Sequence, residues 1–264
     1  MSGRPVRARI VASAAALANK VPPIRGLGLL LEYATRVFSH WDVDVAARID
    51  GSLMWANPTI VTGRRRLFTS AYHDRNERAF VKRVIERGDY VIDVGANVGT
   101  YTLLCAKLGA SVTAIEAEPA NAAILRRNIA LNGYVVDVRQ VGASDKAETL
   151  SLNLDEGDIG SHSFVKVGTK RSVEIECLPL AKVVVPRQAK LMKIDIEGFE
   201  YRVLKRYFAD TPISLRPQWI LLEEWATPPE GSAVALCGEA GYSVVHRWDT
   251  NFALRLGDEA AGLN

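Results

Sequence analysis

Apolar positions recur at two different periods along this chain, and the place where the pattern sharpens divides it. Through residues 1–70 the signal is weak. The alanine-rich stretch Ile10–Ala18, closed by Pro22-Pro23, reads as an amphipathic helix; a second helix follows, and Ser52–Thr62 is β-like. From residue 77 onward Phe80, Val81, Val84 and Ile85 form a helical stripe, with Gly88 at the place of a C-terminal cap. Tyr90–Val94 is short, apolar and β-branched and predicts a buried strand. Helices and strands then alternate. A helix over Thr100–Leu108 is capped by Gly109, Ser111–Ile115 is a strand, Pro119 opens a helix that Asn132-Gly133 ends, and Val135–Val141 is the next strand. A polar insertion, Ser151–Ser172, precedes strands at Val173–Cys177 and Lys190–Ile196. Phe199, Val203, Leu204, Tyr207 and Phe208 mark another helix, Trp219–Leu222 a strand and Ser232–Ala240 a helix. Tyr242–His246 and Phe252–Leu256 pair as a terminal hairpin.

Strands that alternate with helices imply right-handed crossovers and a mostly parallel sheet with helices on both faces, a three-layer α/β fold. The reading is an N-terminal helical extension with a short β segment over 1–70, and one α/β domain over 71–264. In such sheets ligands bind beyond the carboxyl ends of the strands, so the fold itself selects which loops to search.

Composition narrows the class. At 264 residues, with 48% hydrophobic and 24% charged, the chain can bury one large core with a small attachment. No apolar run reaches the roughly 18–20 residues of a membrane span. A net charge of +3 makes no case for nucleic acid as a partner. Cys105, Cys177 and Cys237 lie far apart and form neither a zinc site nor a disulfide framework, which implies a reducing, cytoplasmic location. Residues 1–31 hold Arg4, Arg7, Arg9, Lys20 and Arg25 and no acid; the stretch reads as a helix that docks on the domain or touches a partner, not as a cleaved leader. Arg64-Arg65-Arg66 reads as a solvated face.

The segment Asp93-Val94-Gly95-Ala96-Asn97-Val98-Gly99 is the most informative. Gly95 and Gly99 remove side chains where a strand must turn sharply into a helix and let a ligand come close. A dinucleotide enzyme has G-x-G-x-x-G here, its second glycine admitting a pyrophosphate; this chain has Asn97 and then Thr100 at the second and third positions. Adenosylmethionine carries no phosphate, and an acid (Asp93) and an amide (Asn97) around a glycine turn suit its ammonium and carboxylate. Glu116, at the tip of the second strand, can accept both ribose hydroxyls, although dehydrogenases place an acid at the same spacing. Glu118 stands at the helix entrance, where the dipole favours any acid. Ser144 and Asp145, after the third strand, are candidates for the adenine amine, the competing reading being an Asx turn.

These residues resemble the FkbM family of methyltransferases, within the class I group. Three blocks carry the resemblance: Asp93–Gly99; Ala114-Ile115-Glu116-Ala117-Glu118-Pro119 leading to Leu125-Arg126-Arg127-Asn128; and Lys193-Ile194-Asp195-Ile196-Glu197-Gly198-Phe199-Glu200 with Val203-Leu204. The match runs over about residues 75–225, and the third block is its most specific part. Leu178 is followed by Pro179 where the family often has an aspartate. The resemblance implies a Rossmann-like seven-stranded sheet in the order 3-2-1-4-5-7-6 with the last strand antiparallel. It implies S-adenosyl-L-methionine as cofactor, and O-methylation of a hydroxyl on a sugar, natural product or other small molecule.

Methylating an alcohol requires loss of its proton, a task for a carboxylate or histidine. Asp195 and Glu197 are two apart, so on extended backbone they would point to one side, at the end of the fourth strand; the competing reading gives them to the turn at Gly198 and the following helix. Glu200 looks structural, His162 is the histidine in a plausible substrate loop, and Glu223-Glu224 end the fifth strand, one of them a candidate for the acceptor pocket. No spacing calls for a metal. A nicotinamide oxidoreductase is the rival of another mechanism, and a nucleic-acid methyltransferase the rival substrate class. Amino-methylating enzymes of the latter kind resemble one another in a Pro-Pro-aromatic motif after the fourth strand, where this chain has Asp195-Ile196-Glu197-Gly198.

Overall fold

A computed structural model of the chain describes residues 4–20, 27–154, 171–224 and 231–257. The N-terminal part forms α1 (Arg4–Ala18), α2 (Leu27–Ala34), a 3-10 turn (Thr35–His40), the hairpin strands β1 (Val45–Ile49) and β2 (Ser52–Ala56), and α3 (Val61–Phe68). Then come α4 (Arg75–Val84), β3 (Tyr90–Val94), α5 (Thr100–Lys107), β4 (Ser111–Ile115), α6 (Pro119–Asn132), β5 (Asp137–Arg139), β6 (Gly142–Ser144), β7 (Glu148–Asn153) and β8 (Ser172–Pro179). The chain continues through α7 (Leu180–Val183), β9 (Leu191–Ile194), α8 (Glu200–Asp210), β10 (Trp219–Glu223), α9 (Ala233–Glu239), β11 (Tyr242–Trp248) and β12 (Asn251–Leu256).

Seven strands make the central sheet in the order β11-β12-β10-β9-β3-β4-β5. Counted along the chain, this is the order 6-7-5-4-1-2-3, and β12 runs antiparallel to β10 while β9, β3, β4 and β5 pair in parallel. The expected fold class and strand order are thereby observed. The sheet is apolar on both faces, as a parallel sheet covered by helices must be. Ile92, Val94, Met192 and Ile194 pack with Leu180, Val203 and Ala233 under α7, α8 and α9. Val91, Leu191 and Leu221 pack with Phe80 and Leu104 under α4 and α5, and Ala114 packs with Leu125 of α6. Full burial of each such aliphatic side chain contributes roughly 1.5–3 kcal/mol.

The boundaries that differ from expectation each have a local cause. The helix before β3 stops at Val84, because Ile85 is already extended; Gly88, at φ +92°, instead donates to Gly109 O across the next turn. The expected strand Val135–Val141 is shortened to β5, and β6, just beyond it, pairs with β8 outside the main sheet. Much of the segment read as a polar insertion lies outside the described residues, but its flanks β7 and β8 pair antiparallel and build a three-stranded sheet with β6.

In the N-terminal part, Ser52–Ala56 is a strand but residues 61–62 begin α3, and Val45–Ile49 is its unforeseen hairpin partner. The connecting Asp50-Gly51 turn has both residues at positive φ, the geometry a two-residue hairpin favours. The Asp50 carboxylate then receives Arg78 at 2.6 Å and Lys82 at 2.5 Å from α4. The free edge of β2 is answered by side chains of α6. Asn132 brackets Leu53, accepting from its N–H and donating to its C=O at 2.7 Å each, and Asn128 Oδ1 accepts from Trp55 N at 2.8 Å. Asn128 Nδ2 also donates to Val98 O, which ties the hairpin to the glycine turn. The arginine run is not a solvated face: Arg64 is buried and donates to Pro58 O, Arg65 pairs with Glu32, and Arg66 reaches Asn97 Oδ1 at 3.5 Å.

Candidate active site

The loop after β3 turns through three left-handed positions, Gly95 (φ +80°), Asn97 (φ +50°) and Gly99 (φ +103°). At Gly95 a side chain is excluded twice, by its φ and because a Cβ there would stand 1.9 Å from the Asp195 carbonyl oxygen. At Gly99 a Cβ would stand 2.6 Å from Leu125, so this glycine lets α5 start against α6. Asn97 holds its strained conformation by accepting from Val98 N at 2.7 Å on its own side-chain oxygen.

Glu116 completes the turn from the next strand. One carboxylate oxygen accepts from Asn97 N at 2.7 Å and the other from Glu118 N at 3.0 Å. Burial pushes this carboxyl up to about 7, against the opposite pull of the two N–H donors. Glu118 points elsewhere: it is the N-cap of α6, its side chain accepting from Asn121 N at 2.5 Å. A cleft opens between these loops. Gly95, Asn97, Glu116, Asp195 and Glu197 line its polar side, and Ile115, Ala117, Val141, Ala143 and Leu152 its apolar side. An acid accepting from backbone at the strand tip, beside a glycine turn and an apolar slot, fits a ribose flanked by a planar base and an amino-acid tail.

The other sequence candidates are placed differently. Asp93 is buried behind the turn, not on the cleft, and accepts from Thr102 Oγ1 at 2.5 Å. Burial raises its carboxyl above the usual range, with Thr102 and Lys193 pulling the other way. Ser144 is buried and donates to Glu148 Oε1, while Asp145 is held by Arg202 at 2.6 Å and kept low by that guanidinium despite its partial burial. The cleft wall at that end is made by Val141 and Ala143 instead. His162 lies outside the described residues.

At the fourth strand the geometry departs from the extended pair anticipated for Asp195 and Glu197. β9 ends at Ile194, and Glu197 and Gly198 are both left-handed, at φ +55° and +106°. The turn is closed by Glu200, whose carboxylate accepts from Ile196 N at 2.8 Å and Gly198 N at 2.9 Å. Asp195 and Glu197 both line the cleft, but they reach it from a turn and not from one face of a strand.

Asp195 has a partner that the motif reading did not single out. Lys193 is 4% exposed, and its Nζ lies 3.2 Å from Asp195 Oδ2, its one polar partner among the described residues. Burying an ammonium costs several kcal/mol unless charge answers it. Here burial opposes the charged form, but the Asp195 and Glu223 carboxylates outweigh it and hold the ammonium's proton more firmly than usual. The Tyr101 ring covers it at 5.4 Å. Glu223, at the end of β10, stands beside Asp195; burial first, then the Asp195 charge, push it up to about 8. The adjacent Glu224 is structural, accepting from Ala233 N at 2.6 Å and Ser232 Oγ at 2.9 Å at the start of α9. The sequence signal for Lys193 was a charged residue inside an otherwise apolar buried strand, Leu191–Ile194.

No curated protein sequence matches the chain significantly. Among solved structures it resembles a putative transferase of Pyrococcus horikoshii, 15% identical with a TM-score of 0.47, over 97% of this chain and 100% of that one. It also resembles the Pyrococcus abyssi tRNA (uracil-54, C5)-methyltransferase, 16% identical with a TM-score of 0.46, over 80% of this chain and 43% of that one. The T. thermophilus 16S rRNA N2 G1207 methyltransferase is 16% identical with a TM-score of 0.46, over 81% and 50%. The chain thus spans about half the length of the last two. The model of the methyltransferase FkbM domain matches residues 93–242, which contain the glycine turn, Glu116, Lys193, Asp195 and Glu223. The chain belongs to the FkbM methyltransferase family, whose methyl donor is S-adenosyl-L-methionine.

Proposed function

We propose that this methyltransferase acts on a hydroxyl of a small molecule or glycan, with Asp195 as the group that takes the acceptor's proton and Glu223 and Lys193 as its supports. The observation that carries the reading is that Asp195, which lines the cleft, is ion-paired to the buried Lys193 and stands beside Glu223. The bound donor supplies an activated methyl group on a sulfonium. Glu116 accepts from the ribose hydroxyls, the backbone around Gly95 and Asn97 receives the amino-acid end, and Val141, Ala143 and Leu152 hold the base. Orienting donor and acceptor in this way is worth about 7–11 kcal/mol of the barrier. Lys193 holds Asp195 in place through the ion pair, and Glu223 donates a hydrogen bond to it. As the acceptor oxygen gains the methyl group, its proton passes to Asp195, and the Asp195–Glu223 pair, which held one proton, then holds two. One proton is returned to solvent before the next turnover.

A hydroxyl acceptor suits this wall better than a nucleic acid. Asp195 and Glu197 both line the cleft, and acids there disfavour phosphates. Incubating the protein with methyl-labelled donor and parallel panels of hydroxylated metabolites, oligosaccharides, tRNA and rRNA tests the proposal. Label in an O-methyl product supports it, whereas label confined to RNA bases rejects it.

A further inference from the structure

Helix α2, Leu-Gly-Leu-Leu-Leu-Glu-Tyr-Ala, is strongly apolar, yet none of its residues is buried. Leu29 is 75%, Leu30 66% and Tyr33 71% exposed, and Val37 of the following 3-10 turn is 65% exposed. The spacing i, i+1, i+4, i+8 puts them on one side. Helix α1 repeats the arrangement. Val11, Ala15 and Ala18 are buried in the N-terminal core, while Val6, Ile10 and Leu17 form a second apolar stripe that faces outward. Arg7 and Arg9, both exposed, flank that outward stripe on either side at helical spacing. Both helices rest against α3.

We propose that the outer faces of α1 and α2 dock on an anionic lipid surface. Charge complementarity commits the surface to this occupant. No Asp or Glu precedes Glu32, whereas Arg7, Arg9, Lys20 and Arg36 are exposed around the apolar side chains. Two of the acids nearby are ion-paired: Glu32 with Arg65 at 2.9 Å and Asp44 with Arg127 at 3.3 Å. Apolar residues bordered by cations, on short helices that do not span, are what an interfacial element needs: the aliphatic side chains enter the headgroup boundary and the cations meet anionic headgroups. A nucleic acid would match the charge but has no use for exposed leucines. A second copy of the chain would match the leucines but would bring the cations together.

The test is co-sedimentation of the full chain with sucrose-loaded vesicles of phosphatidylcholine, with and without phosphatidylglycerol. The protein should sediment with the anionic vesicles at low salt and far less with the neutral ones. High salt, or the double substitution Leu29→Glu and Leu30→Glu, should weaken partitioning roughly tenfold or more. Because both leucines are exposed, the variant should melt at the wild-type temperature, so loss of binding is not loss of fold. Three results would each overturn the proposal: no sedimentation with anionic vesicles, sedimentation indifferent to the double substitution, or, in place of vesicle binding, a dimer in light scattering that the substitution dissolves.

Discussion

Gly95 and Asp195 meet backbone to backbone: the Cβ that any other residue would carry at position 95 falls 1.9 Å from the Asp195 carbonyl oxygen. The donor turn and the proposed proton acceptor are therefore set against each other through main chain, which cannot rotate away as a side chain can. Gly95→Ala should lose roughly 1–2 kcal/mol from the left-handed φ alone, with the overlap added to it. For a protein of this size each kcal/mol lowers the melting temperature by about 2–4 °C. Thermal melts and adenosylhomocysteine titration on the same preparation check this. A variant with wild-type melting and affinity would mean that the two turns separate freely.

The two acids flanking Ala117 should differ in what they lose. Glu116→Ala removes the proposed ribose acceptor and should weaken adenosylhomocysteine binding by about 1.5–3 kcal/mol, roughly tenfold to a hundredfold. Glu118→Ala removes a helix N-cap, so it should cost about 0.5–2 kcal/mol of stability and leave affinity near wild type. Calorimetry and melting on both variants decide the matter; equal losses of affinity would refute the assignment of Glu116.

Asp195→Asn keeps the shape but cannot take a proton near neutral pH. Turnover should fall about 10²–10⁴-fold while adenosylhomocysteine affinity holds. Glu223→Gln keeps a donor toward Asp195 and should spare most of the turnover, but it should change the alkaline limb of the pH–rate profile. Lack of any effect of Asp195→Asn on turnover would leave Glu197, the other acid on the cleft wall, as the candidate.

The Glu223 carboxyl also sets a pH dependence of stability. Its value is about 8 in the folded protein against 4.5 for an exposed glutamate. Between these limits the folded chain binds more protons than the unfolded one, so the contribution is fully present below about 4.5 and is lost as pH rises through about 8. Glu223→Gln should flatten that decline. Melting temperatures of wild type and variant from pH 5 to 9 on the same buffer series measure it, and parallel curves would show that Glu223 titrates normally.

Local chemistry was enough to place β4 over Ser111–Ile115, the start of α6 at Pro119 and its end at Gly133, because β-branching, a proline at the first turn and a left-handed glycine act within a few residues. The same holds for the glycine turn after β3, whose residues needed positive φ whatever packed around them. Partnerships across the fold were not legible. Asp93 and Asp145 are acids at strand ends like Glu116, yet Thr102 and Arg202 claim them, and only the packing of α5 and α8 against the sheet decides this. Neighbouring glutamates at 223 and 224 diverge because one side chain turns toward Lys193 and Asp195, and the other toward the N-terminus of α9. Lys193 shows the division most clearly. Its place in an apolar strand could be read from the sequence, but the ammonium is tolerated there because the turn after β9 brings the Asp195 carboxylate to 3.2 Å from it, and parallel pairing of β9 with β10 sets Glu223 beside them.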